Sequence, residues 1–380
     1  MFKFGIENLD KHLELFKNKR VGLITNPTGV TKDFKSTIDV LSEQTNLVSL
    51  FSPEHGVRGD LQAGVHLDTY VDEKTGCTVF SLYGETRKPT KEMMDTIDVL
   101  CFDIQDVGAR YYTYIYTMAY AMMACKENDK EFVVFDRPNP VGGIEVEGNI
   151  LDTEYRSFVG YYPITQRYGL TLGELSLMYN KEFEIDCKLH VIQMSDWKRG
   201  YHFKDLDRYW VLPSPNIPTT DSLLPYLTTC YFEGTNVSEG RGTAKPFQTF
   251  GAPWMDADLL ITELKKRNLP GVMFRKTYFT PMFSKHKDTL CQGVELFVTN
   301  KDLYKPVSTG YTLIYLIRDL FEDFKILDPY RPGGKQMIDL LSGNDDLKSK
   351  RYTLDELLNK LEQDALVFKA KKERYHLYEV

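Results

Sequence analysis

Along the first 140 positions the apolar residues fall into short, β-rich runs, and between these runs they recur at helical spacing. The runs predict strands at 20–26 (RVGLITN), 47–52 (LVSLFS), 78–84 (TVFSLYG), 99–106 (VLCFDIQD) and 131–139 (EFVVFDRPN). Helical patterns occupy 36–43, 91–97 and 112–128. The strands do not alternate but are apolar on both faces, which is how strands read when helices cover both sides of a parallel sheet. This order predicts an α/β fold built on an open, doubly wound parallel sheet.

Beyond Pro140 the pattern loosens. A helix is expected over 171–183, with Thr171 as its cap and Glu174 three residues on, as in a capping box. A strand, KLHVIQM, follows it. The segment WVLPSPNIPTTDSLLPY (210–226) holds four prolines and reads as a domain junction or the wall of a cleft. From about Thr228 a second, smaller α/β unit begins, with strands at 271–279 and 293–300, a helix at 310–324 and a charged helical stretch at the C-terminus. The expected division is 1–227 and 228–380, since 380 residues exceed what one core usually supports.

Composition narrows the classes. With 42% hydrophobic and 27% charged residues the chain reads as an ordinary globular protein, and no segment approaches the roughly 18 apolar residues of a membrane span. A net charge of -7 leaves no basic field for a polyphosphate backbone, and KAKKER near the C-terminus is the longest basic tract, so neither nucleic acid nor membrane is expected as a partner. Cys77, Cys101, Cys125, Cys187, Cys230 and Cys291 are scattered singly, mostly inside apolar runs, as reduced and buried thiols are. The first twenty residues lack the apolar stretch and cleavage site of a leader, which predicts a cytoplasmic protein, or a secreted one if a leader was removed ahead of Met1.

In an open parallel sheet, ligands bind outside the carboxyl ends of the strands. Here those ends carry Asn26, Pro27 and Thr28; Glu54, His55 and Arg58; Tyr83 and Glu85; Asp103, Asp106 and Arg110; and Asp136, Arg137 and Asn139. Glu54 follows a buried strand and the rigid Pro53, so desolvation could hold it protonated as a general acid, with His55 beside it to orient it or bind substrate. A second carboxyl, Asp103 or Asp106, would stay ionised near Arg110. Two carboxyls with separated pKa values suit glycoside hydrolysis, and the same groups with Asp136 also suit a divalent cation. Blander roles stand beside these: Asp103 as a turn cap, and Asp106 as a partner of Arg110 four residues on. The glycine-bearing segment FEGTNVSEGRGTAKPF (232–247) matches no phosphate-binding loop, but Arg241 within it suits an anionic ligand. The signatures of acyl-enzyme hydrolases and zincins are missing.

Taken together, GLITNPTGV, FSPEHGVRG, SLYGETRKPT, DVLCFDIQDVGARYYTYIYTM, FDRPNPVGG, SFVGYYPI, PSPNIPT, FEGTNVSEGRGT and PFQTFGAPW resemble the successive blocks of the NamZ-type exo-β-N-acetylmuramidases, long catalogued as a domain of unknown function. The resemblance implies a Rossmann-like first domain, a smaller second domain and an active site between them. It implies release of N-acetylmuramic acid (MurNAc) from the non-reducing end of peptidoglycan fragments such as MurNAc-GlcNAc, during cell-wall turnover and recycling. It also places Glu54, His55, Asp103, Asp106, Arg110, Tyr111, Asp136, Arg137, Asn139 and Arg241 in the cleft. The expected substrate is a small muropeptide or disaccharide, with no cofactor and no resident metal. Arg58, Arg110, Arg137 and Arg241 are candidates to grip the lactyl carboxylate that separates muramic acid from N-acetylglucosamine. A metal-assisted amidase or deacetylase, and a muropeptide-binding protein without turnover, remain alternatives. The identity of the second carboxyl and the stereochemical outcome stay open, because the latter depends on the spacing of the two carboxyls.

Overall fold

The structure is a computed structural model and describes residues 1–53, 56–58, 69–82 and 86–380. Its larger sheet has seven strands: β1 (Arg20–Thr25), β2 (Asn46–Ser52), β3 (Tyr70–Val71), β4 (Thr78–Ser81), β5 (Val99–Asp103), β6 (Glu131–Phe135) and β7 (Lys188–Ile192). They run in the spatial order β3-β4-β2-β1-β5-β6-β7, all parallel except the edge pair β3 and β4. The chain first builds outward from β1 through β2 to β4, then returns to lay β5 on the other side of β1. Loops leaving β1 and β5 therefore part from each other, and a crevice opens where the direction reverses.

Both faces of the sheet are covered. Val21, Leu23, Leu50, Val99 and Cys101 point to one side, against Ile6, Leu9, Ile38 and Leu41, while Ile24, Phe51, Leu100 and Phe102 point to the other, against Ile115, Met118 and Met122. This is the two-sided burial expected of the unalternated runs. The first cover includes a 3₁₀ helix, Gly5–Phe16, and a helix, Thr37–Gln44, whose cap Ser36 accepts the Asp39 N–H at 3.1 Å. The helix Leu172–Glu182 on the far side has the expected capping box: Thr171 Oγ1 accepts the Glu174 N–H at 3.2 Å, and Glu174 Oε2 accepts the Thr171 N–H at 3.0 Å.

The second domain holds a three-stranded antiparallel sheet in the order β8-β10-β9, from β8 (Thr249–Ala252), β9 (Val272–Phe279) and β10 (Cys291–Val298). The helices Ala257–Arg267 and Pro306–Leu320 pack on it through Leu260, Leu264, Val307, Ile314 and Ile317. Its core continues into the first domain through Val107, Ala109, Tyr111 and Val141. β8 and the two-residue β3 escape sequence reading because neither is long enough to show a period.

The helix Leu354–Lys372 returns to the first domain, where Ala365 and Phe368 join the core beneath the sheet. The tail after it is fastened there. Lys372 Nζ donates to the carbonyls of Gly143 (2.6 Å) and Gly169 (2.8 Å), Leu377 N–H to Glu174 Oε1 (2.8 Å), Tyr378 Oη to Asp136, and Arg199 N–H to the Glu379 carbonyl (3.0 Å). All six cysteines are buried and unpaired.

Candidate active site at the domain seam

The strand ends converge as expected, but many of their charged groups turn toward one another. At the crevice between β1 and β5, Asp103 accepts from Thr37 Oγ1 and from Arg137, whose Nη2 lies 3.0 Å from Asp103 Oδ2 and 2.9 Å from the Val30 carbonyl. The guanidinium stacks 4.4 Å over the Phe4 ring, and both partners are enclosed. Asn26 Oδ1 accepts the Thr28 N–H at 3.0 Å, and Thr28 Oγ1 accepts the Gln105 N–H at 2.8 Å, which ties the β1 turn to the β5 turn. Asp136 accepts from the Gly173 N–H (2.7 Å), Thr171 Oγ1 (2.8 Å) and Tyr378, and burial pushes its carboxyl up to about 7. Asn139 spans from the Leu170 carbonyl (3.0 Å) to the Val141 N–H (3.1 Å).

Asp106 does not pair with Arg110. It accepts from Tyr168 Oη and from the Gly108 N–H at 2.7 Å, in a turn where Gly108 has φ +80 and a Cβ would stand 2.4 Å from Asn139 Oδ1. Burial raises this carboxyl to about 7, against the lowering pull of those hydrogen bonds. Arg110 is 0% exposed, and its donors go to four carbonyls: Asn149 (2.8 Å) and Ile164 (2.9 Å) in the first domain, Leu341 (3.1 Å) and Ser342 (2.7 Å) in the second. With both Nη groups committed to carbonyls and the guanidinium fully buried, the expectation that Arg110 grips substrate gives way to a role as a clamp between domains. Asp103 is withdrawn from direct contact in the same way, because Thr37 and the Nε and Nη2 of Arg137 take both of its oxygens. Asp136 likewise has its oxygens taken by protein donors. Among the described residues no group of three or more His, Cys, Asp or Glu side chains gathers as a metal site.

Two expected residues do meet in a cavity of about 240 Å³ at the seam, Tyr111 from the loop after β5 and Arg241 from the second domain. Tyr112, Tyr114, Asn216, Tyr226 and Glu233 line it with them. Tyr111 is oriented by donation to the Leu227 carbonyl at 2.9 Å, and its ring meets Tyr226 edge to face at 5.4 Å. These rings give the wall an apolar body with polar rims, which suits the alternating faces of a sugar. The Pro-rich segment supplies Ser214, Pro215 and Asn216, so the reading of 210–226 as a cleft wall fits.

Arg241 is held from several sides. Its Nη2 donates to Glu233 Oε1 at 2.7 Å, its Nε lies 3.3 Å from Glu239 Oε1, and its guanidinium sits 5.1 Å over Phe247. Burial works to lower its pKa, but the two carboxylates outweigh this and raise it. Lys285 balances Glu239 at 2.7 Å. Arg58 forms a two-pronged pair with Asp72 (2.6 and 2.9 Å), which holds that carboxyl at about 2. Glu54 and His55, with Tyr83 and Glu85, lie outside the described residues. Glu233 and Tyr226 were not singled out in the sequence. Glu233 could have been, since it stands eight positions before Arg241 in the same polar segment.

A larger cavity of about 580 Å³ borders Leu223–Pro225, with His202, Lys204 and Lys301 in its wall. Its lysines are already matched, Lys204 with Asp221 and Lys301 with Asp205, and burial drops His202 to about 3. The smaller cavity is the better candidate because aromatic faces and fixed charges from both domains converge on it.

A helix-covered parallel sheet whose C-terminal edge is roofed by an antiparallel-sheet domain, with an aromatic and charged cleft at the seam, defines a two-domain α/β protein built to hold a small polar ligand. The family model described as exo-β-N-acetylmuramidase NamZ, N-terminal, matches residues 21–221, and its C-terminal counterpart matches 224–378. The chain belongs to this family. It is 49% identical over 381 residues to the peptidoglycan β-N-acetylmuramidase NamZ of Bacillus subtilis (strain 168), across 98% of this chain and 91% of that one. Crystal structures of two DUF1343 family proteins from Bacteroides fragilis NCTC 9343 are similar to it, with TM-scores of 0.92 and 0.81 at 40% and 33% identity, each covering 100% of this chain and 99% of the other.

Proposed function

We propose that this protein is an exo-acting β-N-acetylmuramidase, a glycosidase that releases MurNAc from the non-reducing end of small peptidoglycan fragments. The observation that carries the reading is the nearly full-length, 49% identical match to a peptidoglycan β-N-acetylmuramidase. The seam cavity supports it: tyrosine rings set edge to face offer apolar surface for a pyranose, and Arg241 offers a cation for a lactyl carboxylate. Glu54 is the proposed general acid, with His55 beside it, and donates a proton to the glycosidic oxygen as the C1–O bond breaks. Asp106, Arg110, Asp136, Arg137 and Asn139 serve the site through the loops they hold, Asp106 through the turn that leads into Tyr111–Tyr114.

The test is release of p-nitrophenol from a MurNAc glycoside. Glu54→Gln should cut kcat by about 10²–10⁴-fold while the protein stays folded. Near-normal release by that variant would remove Glu54 from the acid role. Binding of MurNAc with no turnover of any MurNAc glycoside by the wild type would favour a sensing protein instead.

A further inference from the structure

The second carboxyl is missing from the strand-end candidates. Asp103 is saturated by Arg137 and Thr37, Asp106 is buried with Oδ2 held by Tyr168 and Gly108, and neither lines the seam cavity. We propose that Glu233, delivered by the second domain, is the carboxylate that faces the anomeric centre and stabilises the positive charge developing there. The proposal rests on the glycosidase reading above and names a further catalytic residue for it.

Three observations carry it. Glu233 lines the cavity, on a short 3₁₀ turn, Cys230–Gly234, whose neighbours Cys230, Tyr231 and Phe232 are buried, so the turn cannot shift without breaking the core. Only one of its oxygens is engaged: Oε1 accepts from Arg241 at 2.7 Å, while Oε2 accepts no hydrogen bond from any described residue. The charge is braced by a relay, Glu233 to Arg241 (2.7 Å), Arg241 to Glu239 (3.3 Å) and Glu239 to Lys285 (2.7 Å), in which Glu239 is 2% exposed. A carboxylate fixed in advance beside tyrosine rings needs little reorganisation when positive charge appears on the sugar ring, and the apolar wall strengthens its field. The role involves no bond to Glu233. The proton goes from the acid to the leaving oxygen, water adds at C1 to give the new C1–OH and returns its surplus proton to the acid's carboxylate, and Glu233 acts by charge alone.

Steady-state hydrolysis of a MurNAc glycoside by wild type, Glu233→Gln and Glu233→Asp tests this, with thermal unfolding and MurNAc binding measured on each. Glu233→Gln should lose about a hundred-fold or more in kcat while KM and the Kd for MurNAc change less than about three-fold, and Glu233→Asp should recover part of the kcat. A purely structural Glu233 would raise KM and weaken MurNAc binding as Arg241 shifts, and that pattern overturns the proposal. So does a Glu233→Gln variant, or a Glu233→Asp variant where Gln fails to fold, whose losses lie in KM alone or are absent. An inactive wild type would instead remove the glycosidase reading itself, so the two failures are distinct.

Discussion

Arg137 Nη2 donates to Asp103 Oδ2 at 3.0 Å with 2% and 0% of the two side chains exposed, which joins the ends of β6 and β5 at the reversal point of the sheet. Desolvating both charges costs nearly as much as their attraction returns, so the pair specifies the fold more than it stabilises it. Removing one partner is another matter. Arg137→Met leaves a buried carboxylate without its counter-ion and is expected to cost about 3–5 kcal/mol, read as a fall in the urea midpoint with an unchanged m-value. Arg137→Met combined with Asp103→Leu should recover part of that loss.

A pH dependence follows from Asp106. Its folded carboxyl sits at about 7 because of burial, against about 4 in an unfolded chain. Between these values the unfolded chain releases a proton that the folded one keeps, so the group's contribution is full below about pH 4 and is lost as pH rises to about 7. Asp136, also raised to about 7, acts in the same direction, whereas His202 and His376, held at about 3, oppose it over much of the same range. The comparison with Asp106→Asn isolates the aspartate. Urea unfolding at pH 4.5, 5.5 and 7 should show the advantage of wild type over the variant shrinking at each step, and a constant difference would contradict the raised value.

The backbone was more legible than the chemistry. The strand expected at 47–52 appears at Asn46–Ser52, and the Thr171–Glu174 box closes as read, because period and capping are local properties. The β5 and β6 ends did gather at one edge. What sequence could not show is that charges meeting there neutralise one another: nothing in FDIQD or DRPNP marks Asp103 and Arg137 as partners 34 positions apart. Arg110 misled for the same reason, since an arginine that binds four backbone carbonyls looks in sequence like one that waits for an anion. Glu233 carries no mark of its own in the sequence beyond standing eight positions before Arg241 in one turn-rich segment. The leading acid, Glu54, rests on sequence and family resemblance, as it lies outside the described residues.

Selectivity should reside in Arg241. A charge-assisted hydrogen bond contributes about 1.5–3 kcal/mol, so Arg241→Gln is expected to lower kcat/KM for a MurNAc glycoside by roughly ten- to hundred-fold. Activity on the matching N-acetylglucosamine glycoside, which has no lactyl carboxylate to lose, should fall by less, since that loss comes only from the hold of Arg241 on Glu233. Parallel assays of the two glycosides give the ratio directly, and an equal loss on both would assign Arg241 to holding Glu233 rather than to reading the lactyl group.

The fastening of 372–379 onto the first domain bears on how the protein is made. Asp136, Glu174 and Arg199 lie hundreds of ångströms of extended chain upstream of Tyr378, Leu377 and Glu379, at the estimate of about 3.3–3.6 Å per residue. Asp136 and Glu174 therefore stay without the Tyr378 hydroxyl and the Leu377 N–H until residues 377 and 378 have been joined to the chain, whatever has folded before.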